Sequence, residues 1–241
     1  MDKVLKFSVT EKIFHNVNAV SWYVLAITGI IVYFNLAGSE TKNFLMQIHI
    51  WAGVVFTFNF LAFIFLAPHR FYILMKNLLE WDKDTFAWFK NLGGYPRRFF
   101  KINIGPEEVA PQGKFNAGQK LTYLFFIFMI IALIVTGWFL YFAKHSMGKG
   151  LFLMFFYLHV WGSIITTLIA TFGHIPLSIA NKEDLLAMWR IGPGTVSLKW
   201  AKHHNPKWFQ NDVIMRPLQN CRDQYCKHNC KGSVPIFRNE K

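Results

Sequence analysis

The apolar positions of this chain fall into four long runs, with neither the alternation of a strand nor the one-sided stripe of a surface helix. The runs cover residues 17–34, 44–67, 121–143 and 151–180. Each can cross the hydrocarbon core of a bilayer, which takes about 20 helical residues. Each is expected to be helical, because backbone in lipid must satisfy its own hydrogen bonds. The first run is too long for the apolar stretch of a signal peptide, and no small-residue cleavage site follows it, so it reads as a retained span. Between the second and third runs the pattern changes. FYILMKNLLEWDKDTFAWFKNL (71–92) spaces Phe71, Leu74, Met75, Leu78, Leu79, Phe86 and Phe89 along one face, with Lys76, Asn77, Lys83 and Asp84 on the other. That spacing predicts one amphipathic helix lying at the membrane interface. A Gly/Pro-rich connector, GGYPRRFFKINIGPEEVAPQG, follows it, and no internal repeat is evident. The expected class is an all-α membrane protein: a four-transmembrane-helix bundle over residues 1–210, with a Cys-containing tail over 211–241.

Composition agrees with this pattern. Of the 241 residues, 53% are hydrophobic and only 16% charged, greasier than a soluble domain of this length. The formal net charge of +13 could suggest nucleic acid, but its distribution excludes that reading. Twenty-three of the 26 Lys and Arg residues lie before the first run, in the loop 68–120, or after residue 180. The two short loops on the other side hold only Lys42, Lys144 and Lys149. The positive-inside bias therefore places both termini and the long middle loop in the cytoplasm of a bacterial or archaeal cell, facing anionic lipid.

Four histidines change the picture from anchor to cofactor site. His15 lies at the cytoplasmic start of the first span and His49 near the outer start of the second. His159 falls in the outer half of the fourth span and His174 in its inner half. Fifteen residues at about 100° each end 60° past four full turns, so His159 and His174 project from nearly one face, about 22 Å apart along the axis. Ionisable groups inside a membrane are costly and mark function. An imidazole pair at each depth, on helices that can face one another, is what two bis-histidine haems require. Gly29, Gly53, Gly137, Gly162 and Gly173 would let a flat macrocycle approach, although each also suits ordinary close helix packing. No C-x-x-C-H occurs, so the haem would be b-type and not covalently attached. His69 and His145 read as interfacial. There is no dinucleotide fingerprint, P-loop or Ser/His/Asp arrangement, so a dehydrogenase active site must belong to another subunit.

Two segments resemble a known family. GKFNAGQK (113–120) resembles GKYNAGQK of the cytochrome b (gamma) subunit of respiratory membrane-bound formate dehydrogenases, and WAKHHNPKWF (200–209) resembles that subunit's WAKKHHPRWY. The resemblance covers roughly residues 10–210. It implies a dihaem membrane anchor that takes electrons from a periplasmic iron–sulfur subunit, itself joined to a catalytic oxidoreductase subunit, and passes them to menaquinone or another quinone. By this resemblance His49 and His159 hold the periplasmic-side haem iron, and His15 and His174 the cytoplasmic-side one, the same pairs that depth gives. It also places the quinone near Asn116, Gly118 and Gln119, whose amides can hydrogen-bond a carbonyl without adding charge. Asn116 can equally cap the third helix, with Gln119 in its first turn. The sequence departs from the family at one point: the ligands of the fourth span are fourteen apart in the family and fifteen here, which calls for a local bulge or a differently tilted haem.

The tail is the second departure. Cys221, Cys226, His228 and Cys230 could form a zinc site or part of an iron–sulfur site, or be reduced cytosolic thiols. Two other functions remain open from the residues: the cytochrome b subunit of a membrane hydrogenase or another molybdopterin oxidoreductase, and a haem-free transporter with a histidine proton relay. The relay would more naturally bring acidic residues into the spans. Apart from Glu11 near the start of the first, the four runs have none.

Overall fold

The computed structural model describes residues 3–216 and 234–237. A short strand, β1 (Lys3–Phe7), leads into α1 (Val9–Tyr33) and α2 (Ser39–Leu66). Three shorter helices follow: α3 (Pro68–Leu79), α4 (Lys83–Ala87) and α5 (Tyr95–Phe100). Next come α6 (Ala117–Phe142) and α7 (Lys149–Ile169), which continues through a π-helical turn (Ala170–His174) into α8 (Ile175–Ala180). The chain then forms α9 (Lys182–Trp189), β2 (Gly194–Ser197), α10 (Leu198–His204), α11 (Pro206–Asp212), β3 (Val213–Arg216) and β4 (Val234–Phe237). Among the described residues four helical segments are long and apolar enough to cross a membrane: α1, α2, α6 and the continuous stretch Lys149–Ala180. Each begins a few residues before its apolar run. α2, for instance, starts on Ser39 with Glu40 in its first turn, where an acidic group favours the positive end of the helix dipole.

The chain divides into two compact units. The first, residues 10–72 with 122–181, is the helical bundle. Its polarity is inverted relative to a soluble bundle. Large apolar side chains such as Phe58, Phe65, Phe128 and Phe172 face outward, while Asn18, Ser21, Thr28, Thr136 and Thr166 are buried. An unsatisfied polar group in hydrocarbon costs several kcal/mol, and several interior polar groups pair across helices, although the buried Thr166 hydroxyl has no partner among the described residues. Asn59 Nδ2 donates to Asn18 Oδ1 (2.8 Å) and to the Phe14 carbonyl (3.0 Å), tying α2 to α1. Trp22 Nε1 donates to Thr167 Oγ1 and Trp138 Nε1 to Thr57 Oγ1, both at 3.0 Å. These bonds tie α1 to α7 and α6 to α2, and fix the rotation of all four helices. Phe14 stacks on Phe63 at 4.2 Å.

The second unit comprises residues 1–9, 73–121 and 182–241. It is organised around a buried cation. β1 pairs antiparallel with β2, matching Lys3 to Ser197 and Val4 to Val196. This buries Lys6, whose ammonium donates to both Asp184 carboxylate oxygens (2.8 and 2.9 Å) and to Asn205 Oδ1 (2.7 Å). Burial pushes the Lys6 ammonium below its ordinary pKa, and Asp184 opposes that shift. Asn205 in turn donates to the carbonyls of Gly113 and Lys114, and Trp200 Nε1 donates to Asp184. The segment WAKHHNPKWF thus serves as a brace inside this unit.

The single amphipathic helix expected over 71–92 does not form. α3 ends at Leu79 and the chain restarts at Lys83, because Asp82 Oδ1 accepts from both the backbone N–H and the hydroxyl of Thr85 (2.7 Å each) and caps α4. Leu74 and Leu78 are buried as the pattern requires, but Leu79 and Phe86 are exposed. Lys207 pairs with Asp82 (2.5 Å) and Asp84, fastening α11 to this cap. The tail residues Cys221, Cys226, His228 and Cys230 lie outside the described residues.

Candidate functional site

The bundle brings the four intramembrane histidines together as two pairs. His49 of α2 faces His159 of α7, with ring centroids 6.2 Å apart and planes at 71°. His15 of α1 faces His174 at the end of the π turn, at 6.3 Å and 55°. The first pair lies toward the helix ends joined by the short connections, the second toward the opposite ends. A metal–imidazole bond is about 2 Å, and the centroid of an imidazole sits roughly 1.2 Å from its nitrogen. Two rings bonded to one metal atom therefore end about 6 Å apart, centroid to centroid, as both pairs do. The distances fit an iron held between each pair. His69 and His145 are exposed and join neither pair. Among the described residues no cluster of three or more His, Cys, Asp or Glu side chains forms, so a metal here would rely on paired imidazoles and a macrocycle.

The surroundings of the His49–His159 pair fit a flat group. The two histidines line a cavity of about 890 Å³, mainly apolar, together with Gly29, Gly53, Gly137 and Trp138. That volume falls in the range of about 300–1,000 Å³ that cofactor and small-molecule sites occupy. Two glycines touch the rings: a Cβ on Gly29 would sit 3.2 Å from His49 Cε1, and one on Gly137 3.1 Å from His159 Cε1. Both rings also have a fixed tautomer. His49 Nδ1 lies 3.1 Å from the Leu25 carbonyl and 3.0 Å from Thr28 Oγ1. A carbonyl only accepts, so Nδ1 carries the hydrogen and Nε2 presents its lone pair. His159 Nδ1 lies 3.1 Å from Thr136 Oγ1, which gives its own hydrogen to the Ala132 carbonyl, so here too Nδ1 carries the hydrogen.

These contacts come from two matching segments, LAITG (25–29) in α1 and LIVTG (133–137) in α6. A repeat was therefore present in the sequence after all: leucine, threonine and glycine at identical spacing. It is only five residues long, and its threonines and glycines are ordinary in membrane helices, so the function of the pattern shows only once each segment is seen against a histidine.

The His15–His174 pair depends on the π turn. Ile175 N–H bonds the Ala170 carbonyl five residues back, so the helix contains one extra residue. Fifteen residues then cover the rotation that fourteen cover in an unbroken α-helix, and the local bulge is how the chain accommodates its longer spacing. Pro176 supplies a physical reason. It lacks an N–H, and its ring would clash with the Phe172 carbonyl in a regular helix, a strain that a wider turn relieves. A Cβ on Gly173 would meet nothing within 4 Å, so space lies open beside His174. The rings of Phe126 and His174 meet at 5.8 Å with their planes at 78°.

Asn116, Gly118 and Gln119 sit at the start of α6 in the second unit. Asn116 Oδ1 accepts from Gln119 N–H (2.9 Å), and Gln119 Oε1 accepts from Asn116 N–H (3.0 Å). This is a reciprocal capping box, and it uses both amide oxygens while leaving the NH₂ donors out of the cap. Gly118 lies under the Trp88 indole, where a Cβ would come within 2.7 Å of the ring.

Comparison with known proteins gives these histidines a family. The family model described as prokaryotic cytochrome b561 matches residues 6–190. The chain is 27% identical over 222 residues to the formate dehydrogenase cytochrome b556(fdo) subunit of Escherichia coli K12, covering 87% of this chain and 93% of that one. It is 25% identical over 230 residues to the formate dehydrogenase cytochrome b556 subunit of Haemophilus influenzae, covering 89% and 85%. To the nitrate-inducible formate dehydrogenase cytochrome b556(Fdn) subunit of E. coli K12 it is 31% identical over 133 residues, about half of each chain. With four apolar helices, two facing imidazole pairs and a family match over most of its length, this chain belongs to the prokaryotic cytochrome b561 family of helical, haem-b-binding membrane proteins.

Proposed function

We propose that the chain is the dihaem cytochrome b subunit of a formate dehydrogenase-type complex, carrying electrons across the cytoplasmic membrane to a quinone. The observation that carries this reading is the pair of imidazole clamps, 6.2 and 6.3 Å between centroids, at opposite depths of one bundle. The names of the relatives supply the donor, and the distribution of basic residues supplies the orientation. On that orientation the His49–His159 clamp is periplasmic, next to an iron–sulfur subunit of the complex. The His15–His174 clamp is cytoplasmic, about 22 Å away at 1.5 Å of helix rise per residue.

Haem b, held by each clamp, would supply a one-electron carrier. The residues of this chain do the rest. His49 and His159 present Nε2 lone pairs because their Nδ1–H groups are committed to α1 and α6. Gly29 and Gly137 leave room at the ring edges, and the apolar cavity keeps water from the carrier. At the cytoplasmic side, the NH₂ groups of Asn116 and Gln119, which the helix cap does not use, would donate to a quinone carbonyl. Quinone reduction there would take its protons from the cytoplasm, making the transfer electrogenic. The dehydrogenase chemistry belongs to a partner subunit.

A pyridine haemochrome spectrum with haem counted per chain tests the proposal. Two haem b per chain, falling to one in His49→Ala and to one in His174→Ala, is the expected result. A count of one in the wild type, or no haem, would overturn the dihaem reading.

A further inference from the structure

Thr28 and Thr136 form a matched pair of contacts that the electron-transfer reading does not require. Both are buried, at 5% and 2% exposure. Thr28 Oγ1 donates to the Val24 carbonyl (2.7 Å), so its oxygen lone pair is what meets His49 Nδ1–H. Thr136 Oγ1 donates to the Ala132 carbonyl (2.8 Å), so its oxygen likewise faces His159 Nδ1–H. At His49 the Leu25 carbonyl is a second acceptor on the same hydrogen, 3.1 Å from Nδ1. Each imidazole N–H is therefore held by a threonine oxygen, and the two threonines come from different helices. A threonine in a membrane helix can satisfy its hydroxyl by bonding the carbonyl four residues back. Both of these make that bond and also turn their oxygen to a ring.

The other clamp is built differently. His15 Nδ1 lies 3.1 Å from Asn16 Oδ1, on the neighbouring residue. The rings of His174 and Phe126 meet at 5.8 Å with planes at 78°, and no threonine hydroxyl bonds His174 among the described residues.

We propose that Thr28 and Thr136 are positioning residues that lock the axial imidazoles of the His49–His159 haem and hold its midpoint potential below that of the His15–His174 haem. The inference rests on the dihaem reading above. A hydrogen bond from the non-ligating nitrogen raises the basicity of the ligand and orients its ring. A more basic ligand stabilises ferric over ferrous iron, because the oxidised centre carries more positive charge. An acceptor on each of the two rings applies that effect from both faces of one haem. The donor-side centre then holds its electron less tightly than the acceptor-side centre, and inward transfer runs downhill.

The test uses the purified full-length protein in detergent. Its readouts are haem per chain, a spectroelectrochemical titration, and low-spin electron paramagnetic resonance signals of the oxidised form. The Thr28→Val, Thr136→Val double variant keeps side-chain volume and removes both hydroxyls. We expect two haems per chain, one midpoint moved upward, the other unmoved, and a changed g-value in one of the two signals. Thr28→Ser with Thr136→Ser should restore the wild-type values. If the double valine variant loses haem, each single valine variant is expected to move the same midpoint by a smaller step. Unmoved midpoints and g-values in haem-loaded valine variants would overturn the inference. A wild type with fewer than two haems would instead overturn the dihaem reading on which it rests.

Discussion

Gly137 gives the sharpest test of the His49–His159 site as a haem clamp. A Cβ at this position would lie 3.1 Å from His159 Cε1, 3.6 Å from Nδ1 and 4.0 Å from Nε2. Relaxed carbon contacts need about 3.5–4.0 Å, so the ring must retreat by about 0.4 Å or more. It cannot do so freely, because its Nδ1 is bonded to Thr136, the residue just before Gly137 on the same helix. Overpacking of this kind costs about 1–3 kcal/mol. Taken out of haem binding, that is roughly 5- to 150-fold in affinity, at tenfold per 1.4 kcal/mol. Gly137→Ala is therefore expected to retain haem with a shifted midpoint, and Gly137→Leu, which fills the macrocycle's space, to drop the count from two haems per chain to one. Gly29→Ala should act like Gly137→Ala, since its Cβ would lie 3.2 Å from His49 Cε1. Gly150→Ala is the control, with nothing within 4 Å of its Cβ. The assay is haem per chain by pyridine haemochrome, followed by redox titration. A Gly137→Leu protein with two haems at wild-type midpoints would refute the assignment of this cavity.

Three further outcomes test other parts of the structure. Inserting one alanine after Ile165 should rotate His174 by about 100° relative to His159 and remove one haem while leaving the His49–His159 haem spectroscopically intact. Lys6→Met strands Asp184 inside the second unit and should destabilise that unit by about 3–5 kcal/mol, read as faster limited proteolysis, while Lys6→Met with Asp184→Leu recovers most of the loss. The Lys207 ammonium, with the Thr85 hydroxyl, holds the Asp82 carboxyl well below its ordinary range; burial opposes the raised pKa of Lys207, but the two aspartates outweigh it. Asp82 therefore binds fewer protons folded than unfolded, so its contribution is complete above the unfolded carboxylate value of about 3.9 and is lost as pH falls below it. Hydrogen exchange over residues 82–90 should accelerate between pH 4 and pH 2.5 in the wild type, and an Asp82→Asn protein should show no such step.

The spans and the histidines were legible because the physics behind them is coarse. A run of about 20 apolar residues has few alternatives to a membrane helix, and an imidazole inside one has little reason to be there without a task. The capping box was also legible, since Asn116 and Gln119 stand three apart immediately before an apolar run. What could not be read depends on partners distant in sequence. β1 and β2 are five and four residues long and pair across nearly the whole chain, so neither carries a strand signal of its own. The amphipathic pattern over 71–92 is real on both sides of Asp82, but it cannot reveal that the Asp82 side chain ends one helix and starts another by bonding Thr85. The contacts of Thr28 and Thr136 with the rings cannot be read from sequence, because a threonine in a membrane helix has a bland role available to it.

The repeat has a consequence for how the two clamps divide their work. Leu25, Thr28 and Gly29 reappear 108 positions later as Leu133, Thr136 and Gly137, and His49 and Thr57 reappear 110 later as His159 and Thr167. The first and third spans run in one direction and the second and fourth in the other, so the His49–His159 site is built from two like-oriented halves. The other clamp breaks this relation: the counterpart of His15 is Tyr123, and that of His174 is Ile64. It draws on the first and last spans alone and needs a π turn to bring its second imidazole round. On the dihaem reading the asymmetry is useful. A carrier that only passes electrons onward gains from identical support on both faces, which leaves little to reorganise as its charge changes. A carrier that must deliver to a docked quinone needs one flank left open, which a fully symmetric cradle would close.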